Sequence, residues 1–101
     1  MKHIIEGNAY YTEDFELYDE LVVLGNFYAE GNIHVNGLKV EGDIHLESSN
    51  INNPPCLNAM FVRCAGRIFA HNYVFRVDDL RAQKGRCIIN DGAISEHAPI
   101  S

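Results

Sequence analysis

The sequence predicts an all-β protein, a short single-domain β-solenoid over residues 1–101. Segments rich in β-branched and aromatic residues follow one another along the chain, as is typical of strands. Gly7, Gly25 and Gly42 recur at spacings of 18 and 17 residues, each followed by Asn or Asp. The nearest helical candidate, DDLRAQKGR, is interrupted by Gly85. We therefore expect about five coils of about 18 residues, with three short strands in each coil.

Each coil should have three inward faces, because alternate side chains of a strand point to opposite sides. An 18-residue spacing gives the first face the apolar pairs Ala9/Tyr11, Phe27/Ala29, Ile44/Leu46, Val62/Cys64 and Leu80/Ala82. The second face takes Phe15/Leu17, Ile33/Val35, Ile68/Ala70 and Cys87/Ile89. The third takes Leu21/Val23 and Leu38/Val40 and continues more loosely with Leu57, Val74 and Ile94. Gly, Asn and Asp between these pairs predict corners, since they tolerate positive φ.

A loop insertion is predicted around residues 47–59, ESSNINNPPCLNA, where the pattern loosens. Pro54 and Pro55 cannot donate to a strand ladder, so this segment should bulge out at a corner. The same alternation with glycine corners also fits a cupin-like jelly roll, which stays open as an alternative fold.

The stretch VNGLKVEGDIHL, residues 35–46, resembles the repeat of the bactofilins, polymer-forming proteins of the bacterial cytoskeleton. The resemblance is closest over residues 24–46 and looser over residues 4–23. It implies a right-handed β-helix built from short Gly-x-(Ile/Val) phrases, and it implies self-polymerisation into filaments.

One outward stripe is the strongest candidate for an interaction surface. Equivalent positions on successive coils lie about 4.8 Å apart, and the 18-residue spacing predicts a stripe of Tyr10, Tyr28, His45, Arg63 and Arg81. Tyr and Arg are enriched at binding hot spots. Phe69 and Phe75 also fall at predicted outward positions, and exposed phenylalanines in a small protein indicate an interface.

The repeated phrase Gly-(Asn/Asp)-Ile-His, which starts at Gly31 and Gly42, is a candidate metal motif. Its isoleucines should point inward, so His34 and His45 should point outward on different sides of the coil. We therefore expect no metal site. Catalytic signatures are absent from the sequence, and Cys64 is predicted to point inward, away from use as a nucleophile with His71. No catalytic residue and no cofactor is predicted.

Composition narrows the possible partners. A net charge of −6 argues against nucleic acid, which is bound by basic patches. No apolar run is long enough for a membrane span or a signal peptide, so we expect a cytoplasmic protein. Three cysteines without a C-x-x-C pair indicate neither a disulfide framework nor a zinc ribbon. Residues 1–50 hold ten acidic residues and two lysines, whereas residues 51–101 hold six cationic and four acidic residues.

These observations favour a non-enzymatic structural or interaction protein that self-associates as a homo-oligomer. The charge asymmetry predicts either head-to-tail assembly or an antiparallel dimer, and both should weaken with salt. The alternative is a small-molecule-binding cupin-like domain or weak enzyme, in which Tyr28, His45 and Arg63 of the outer stripe surround an anionic ligand.

Overall fold

A computed structural model of the protein describes residues 2–49 and 52–89. These residues form ten strands and no helix: β1 Lys2–Ile5, β2 Ala9–Tyr11, β3 Phe15–Val23, β4 Phe27–Ala29, β5 Ile33–Val40, β6 Ile44–Glu47, β7 Cys56–Cys64, β8 Ile68–His71, β9 Val74–Ala82 and β10 Arg86–Ile89.

The strands form two five-stranded sheets, and the chain alternates between them. The first sheet has the order β1-β3-β5-β7-β9 and the second the order β10-β8-β6-β4-β2. Each strand pairs in parallel with its equivalent in the next coil, which makes a β-solenoid of about 4 turns. The predicted all-β solenoid is confirmed. The jelly-roll alternative is wrong, because a jelly roll pairs its strands antiparallel.

The three predicted faces of a coil are built from two strands rather than three. Strand β3 carries both the second face, Phe15/Leu17, and the third face, Leu21/Val23, without a break. Its pairing with β5 shifts register between Leu17 and Glu20, as a β-bulge does. A bulge bends a strand locally, and this one lies between the second and the third face of β3. The end of the predicted fifth coil lies outside the described residues.

The core is one continuous column of apolar side chains between the two sheets. Phe27, Ile33, Ile44, Leu57 and Ile68 are fully buried. Burial of an aliphatic or aromatic side chain of this size stabilises the fold by about 2 kcal/mol. Because each coil buries its inward residues against the coils above and below, the middle coils contribute most of this stabilisation.

The Gly-(Asn/Asp) repeat encodes one corner of the coil. The side-chain oxygens of Asn8, Asn26 and Asp43 each accept the backbone N–H of the equivalent residue in the next coil, at 2.8 Å. The glycine of that next coil lies directly beneath the accepting oxygen: a Cβ on Gly42 would lie 2.2 Å from Asn26 Oδ1. A side chain there would displace the oxygen, so a coil that follows an Asn or Asp corner requires glycine at this position.

The loop insertion is shorter than predicted. Strand β6 ends at Glu47 and β7 begins at Cys56, so the excursion covers residues 48–55 rather than 47–59. Residues 56–59 instead pair with β9. The base of the excursion is closed by Ser48, whose N–H donates to the His71 carbonyl at 3.0 Å, and by Pro55, whose carbonyl accepts the Val74 N–H at 3.0 Å.

The excursion moves the residues of β7, β8 and β9 to different faces from the ones predicted. It lengthens the coil to 24 residues between the equivalent positions Asp43 and Arg67. If an 18-residue spacing is continued through the excursion, it therefore assigns β7, β8 and β9 to the wrong side of the coil. Val62/Cys64 and Leu80/Ala82 belong with Leu38/Val40, and Ile68/Ala70 belongs with Ile44/Leu46.

Candidate interaction surfaces

Four aromatic rings stack on the outer face of the second sheet. Tyr10, Tyr28, His45 and Phe69, here called the ring stack, occupy equivalent outward positions on β2, β4, β6 and β8. Their successive ring centroids are 4.7, 4.9 and 4.9 Å apart, with interplanar angles of 4°, 8° and 8°. The stack follows from the fold, because strand spacing is itself near 4.8 Å.

The ring stack is tied to the asparagine corner. Asn8 Nδ2 donates to Tyr10 Oη at 3.4 Å and Asn26 Nδ2 donates to Tyr28 Oη at 3.3 Å. Oδ1 of each of these two asparagines accepts a backbone N–H of the next coil. The two tyrosine rings are therefore oriented by the residues that also set the coil spacing.

The structure divides the predicted outer stripe between two sheets. Tyr10, Tyr28 and His45 are brought together as predicted, and Phe69 lies beside His45, half-buried on the outer face. The placement of Arg63 and Arg81 in the stripe is wrong, because the 24-residue coil moves them to the first sheet. There they follow Lys39 in one column of outward residues.

The two arginines of this column share one carboxylate. Asp79 accepts Arg63 Nη2 at 3.0 Å and Arg81 Nε at 3.1 Å. The hydrogen bond from Arg81, together with the charge of Arg63, holds the pKa of Asp79 below its ordinary value. Arg63 also lies 5.3 Å from the centroid of Phe61, whose ring occupies the space where Gly37 lacks a side chain.

The prediction that Phe75 is exposed is wrong. Phe75 is 1% exposed and lies in the inward column of Phe15, Ile33 and Leu57. The same change of face explains this error, since an 18-residue spacing assigns Val74 rather than Phe75 to the core. Phe75 is therefore removed from the candidate interaction surface.

The first coil leaves the core open at the N-terminal end of the solenoid. Four of its inward residues, Ile5, Tyr11, Phe15 and Leu17, are only partly buried against the core. Two outward residues of the same coil are strongly exposed: Ile4 at 60% and Tyr10 at 66%. The N-terminal end, defined by β1, β2 and residues 15–18 of β3, thus presents an apolar surface.

The same end carries backbone groups that no strand in the described part of the chain neighbours. Ala9 N donates to Asn26 O, Phe15 N donates to Asn32 O, and Ile5 O accepts from Leu24 N. The backbone groups of Ile5, Ala9 and Phe15, on β1, β2 and β3, therefore point toward the following coil. Successive residues of a parallel strand bond to opposite sides. The amides of Ile4, Tyr10 and Glu16 therefore face the open side.

Charge is separated along the solenoid axis. Residues 2–20 hold six acidic side chains and one lysine. Two of these acids have weak surface partners, Glu20 with Lys2 and Asp19 with His3, both at 3.7 Å. Residues 63–86 hold six cationic side chains and two acidic ones. The open N-terminal end is acidic and the opposite coil is basic.

A groove of about 230 Å³ runs beside the ring stack. One wall is made by Tyr10, Tyr28 and His45, and the other carries Glu47, the last residue of β6, and Glu30, which directly follows β4. Sequence reasoning did not select these two glutamates, because the 18-residue spacing placed an arginine beside His45. The polar wall of the groove is anionic, opposite in sign to the predicted site.

Tyr73, fully buried, was also missed. Its hydroxyl donates to the Gly31 carbonyl, and Asn72 before it has a φ of 58° and donates through Nδ2 to the Ser48 carbonyl at 2.9 Å. Burial, with the nearby carboxylates of Glu30 and Asp14, raises the Tyr73 pKa. These residues fix the coil that follows the excursion.

Within residues 2–49 and 52–89, no three His, Cys, Asp or Glu side chains come together as a metal site. His34 lies on the first sheet and His45 on the second, as predicted. Cys64 is buried, with Sγ 3.2 Å from the Gly42 carbonyl, and burial raises its pKa. None of the described segments is a helix long and apolar enough to cross a bilayer.

Comparisons with protein-family models, with curated proteins and with solved structures found no match. The fold and the surfaces described above are therefore the observations on which a function can be proposed.

Proposed function

We propose that the protein is a structural element that associates with further copies of itself through the N-terminal end of its solenoid. The observation that carries this proposal is the open core of the first coil, where Ile5, Tyr11, Phe15 and Leu17 are only partly buried. Their counterparts in the following coils are covered on both sides. A second copy fits this end, because its strands have the same spacing as the strands that they would extend.

Three kinds of group at the N-terminal end support this proposal together. Its apolar residues gain burial when a strand is added. The amides of Ile4, Tyr10 and Glu16 gain hydrogen-bond acceptors, and an unpaired strand edge is a template for pairing with another chain. Tyr10 has one ring face against Tyr28 and is the outermost ring of the stack. The resemblance to polymer-forming bactofilins points to the same kind of role.

Sedimentation velocity across micromolar protein concentrations tests this proposal. We expect the wild-type chain to form oligomers whose proportion rises with concentration. The variant Ile4→Pro/Tyr10→Pro should remain monomeric, because it removes two edge amides and two exposed apolar side chains. Proline is tolerated where an edge strand directs its N–H to solvent.

The matched control is Ile4→Val/Tyr10→Phe, which keeps the amides and the apolar surface. It should associate as the wild type does. Far-ultraviolet circular dichroism of all three proteins establishes that the strands are formed. A wild-type protein that stays monomeric throughout, or proline substitutions that leave association unchanged in a folded protein, would contradict the proposal.

A second candidate function is binding of a planar cationic ligand in the groove beside the ring stack. Glu30 and Glu47 favour this candidate, because two adjacent carboxylates attract a cation and repel the anion that sequence reasoning predicted. Aromatic rings along the other wall would contact an elongated planar molecule lying parallel to the solenoid axis.

Fluorescence titration with thioflavin T, a planar cationic dye, tests this candidate directly. We expect saturable binding that Glu30→Gln/Glu47→Gln weakens roughly tenfold, since each lost charge costs about 0.5–1 kcal/mol at a partly exposed site. Glu6→Gln/Glu13→Gln, which changes the same charge outside the groove, is the control. Equal binding by both double variants would exclude a site at Glu30 and Glu47.

A further inference from the structure

We propose that a groove on the outer face of the first sheet binds an anion that carries several phosphate groups. The groove has a volume of about 350 Å³. Lys39, Arg63 and Arg81, here called the cationic column, lie along it, and Glu41 and Gln83 also line it. Its described lining residues belong neither to the ring stack nor to the N-terminal end, so the site is separate from both surfaces proposed above.

The cationic column is a product of strand pairing. Lys39 pairs with Arg63, and Arg63 with Arg81, in the parallel ladder of β5, β7 and β9. Neighbouring strands lie about 4.8 Å apart, so the three backbone positions span roughly 10 Å along the solenoid axis. Lys39 and Arg81 are exposed and Arg63 is half-buried. Three like charges at this spacing repel one another, and a multivalent anion along the column removes that repulsion.

The described carboxylates do not balance the charge of the column. Asp79 accepts hydrogen bonds from Arg63 Nη2 and Arg81 Nε. None of the ion pairs among the described residues involves Lys39. With Glu41 included, three cations face two carboxylates. The groove is therefore locally positive in a chain whose net charge is −6.

The two guanidinium groups keep donors for a ligand. Nε of Arg63 and both terminal nitrogens of Arg81 have no acceptor in the described part of the chain. A guanidinium pairs with two phosphate oxygens at once, and an ammonium acts as a point charge beside them. Arg63 is held by Asp79 and lies 5.3 Å from the centroid of the Phe61 ring. This positioning reduces the side-chain entropy that binding would cost.

The two carboxylates at the site favour a ligand of high charge. A single carboxylate would be repelled by Glu41 and Asp79, and it could reach only part of a column roughly 10 Å long. A chain of phosphate groups carries several charges and many acceptor oxygens, so it can contact all three cations together. Such a chain occurs free, as an inorganic oligophosphate, and as part of a nucleoside triphosphate.

Isothermal titration calorimetry with inorganic tripolyphosphate tests the site. An ionic strength of about 0.1 M limits the effect of distant charges, because the Debye length is then about 10 Å. The wild-type protein should bind tripolyphosphate saturably, and inorganic phosphate roughly tenfold more weakly, since it contacts fewer cations. Absence of saturable tripolyphosphate binding, or equal affinity for the two anions, would overturn the proposal.

Single substitutions locate the bound anion. Lys39→Gln breaks no ion pair among the described residues and should weaken tripolyphosphate binding roughly fivefold. Arg76→Gln is the matched control, because it removes one exposed cation of the same sheet. Arg76 lies five residues before Arg81 on β9, about 16 Å along the strand and beyond the Debye length. We therefore expect Arg76→Gln to leave binding unchanged.

Removal of a carboxylate from the groove should have the opposite effect. Glu41→Gln should strengthen tripolyphosphate binding roughly threefold, because it removes a like charge beside the anion. A Lys39→Gln effect no larger than that of Arg76→Gln, or weaker binding by Glu41→Gln, would place the anion elsewhere and overturn the assignment. Circular dichroism of each variant establishes that the strands are formed.

Adenosine triphosphate, titrated without divalent cations, distinguishes the two sources of a phosphate chain. Binding at least as tight as that of tripolyphosphate, and weakened by Lys39→Gln, would assign the site to a nucleoside triphosphate. Much weaker binding would assign it to a free oligophosphate. Nucleotide binding as tight as that of tripolyphosphate but unaffected by Lys39→Gln would contradict a shared site at the cationic column.

Discussion

The first coil and the middle coils have the same repeat but differ in what covers them. In the middle coils, Phe27, Ile33 and Ile44 are fully buried between neighbours on both sides. In the first coil, Phe15 occupies the same column as Ile33 but is only partly buried. The sequence around Phe15 fits the repeat equally well. The difference shows that burial in a solenoid depends on the adjacent coil as much as on the residue itself.

Truncation of core side chains should give the largest difference between these regions. Ile44→Ala should lower the free energy of unfolding by about 3–4 kcal/mol, because it leaves a cavity that its neighbours cannot fill. Leu17→Ala should cost about 1 kcal/mol in dilute solution, since part of that side chain already contacts water. Urea denaturation at low protein concentration measures both. Equal losses would mean that the first coil is as well covered as the middle ones.

Replacement of a corner glycine by alanine should destabilise the middle coils and the first coil for different reasons. Gly42→Ala places a Cβ 2.2 Å from Asn26 Oδ1 and 2.8 Å from the Gly25 carbonyl, and we expect a loss of about 2–3 kcal/mol. Gly7→Ala meets nothing within 4 Å, but φ there is 107°, so a loss of about 1 kcal/mol should reflect backbone conformation alone. Thermal unfolding of both variants measures the difference, and a larger loss at Gly7 would contradict the corner geometry.

Two buried or half-buried tyrosines should differ in alkaline solution. Burial raises the pKa of both Tyr73 and Tyr11, and the unfolded chain ionises first above pH about 10. Stability should therefore fall as pH rises above that value. Tyr73→Phe should cost about 1 kcal/mol at neutral pH through its lost hydrogen bond to Gly31 and should flatten the alkaline fall. Tyr11→Phe should change the neutral-pH stability and the alkaline fall less than Tyr73→Phe does. An unchanged alkaline slope in Tyr73→Phe would contradict the assignment.

The smallest effect should come from the exposed ion pairs of the last coil. Arg81 and Arg63 lower the pKa of Asp79 in the folded chain, so its contribution to stability is present above the unfolded pKa near 4 and is lost as pH falls through the folded value. Asp79→Asn should reduce the slope of stability against pH below about pH 4. Chemical denaturation at several acidic pH values measures this slope, and a steeper slope in the variant would have the wrong sign.

The coil geometry was predictable up to the excursion, because Gly-(Asn/Asp) corners and inward apolar pairs recur in the sequence itself. The ring stack of Tyr10, Tyr28 and His45 followed from that spacing and is confirmed. The position of Phe69 beside His45 did not follow from that spacing, because nothing in the repeat shows how many residues the excursion adds to the coil. Arg63, Arg81 and Phe75 were misplaced for the same reason.

The openness of the N-terminal end could not be read from residue types. Tyr11, Phe15 and Leu17 match the inward pattern as well as Phe27 or Ile33 does, and only the absence of a strand beyond β1 and β2 in the described residues distinguishes them. The anionic groove was missed for a related reason: Glu30 and Glu47 become neighbours of the rings only through strand pairing.

Hydrogen exchange at several protein concentrations tests most directly whether a second copy covers the first coil. The amides of Ile4, Tyr10 and Glu16 should exchange rapidly in dilute solution and become protected as concentration rises at low ionic strength. Amides of β5 and β7 should show protection that does not change with concentration. Fast exchange of Ile4, Tyr10 and Glu16 at every concentration, in a sample that contains oligomers, would contradict the account.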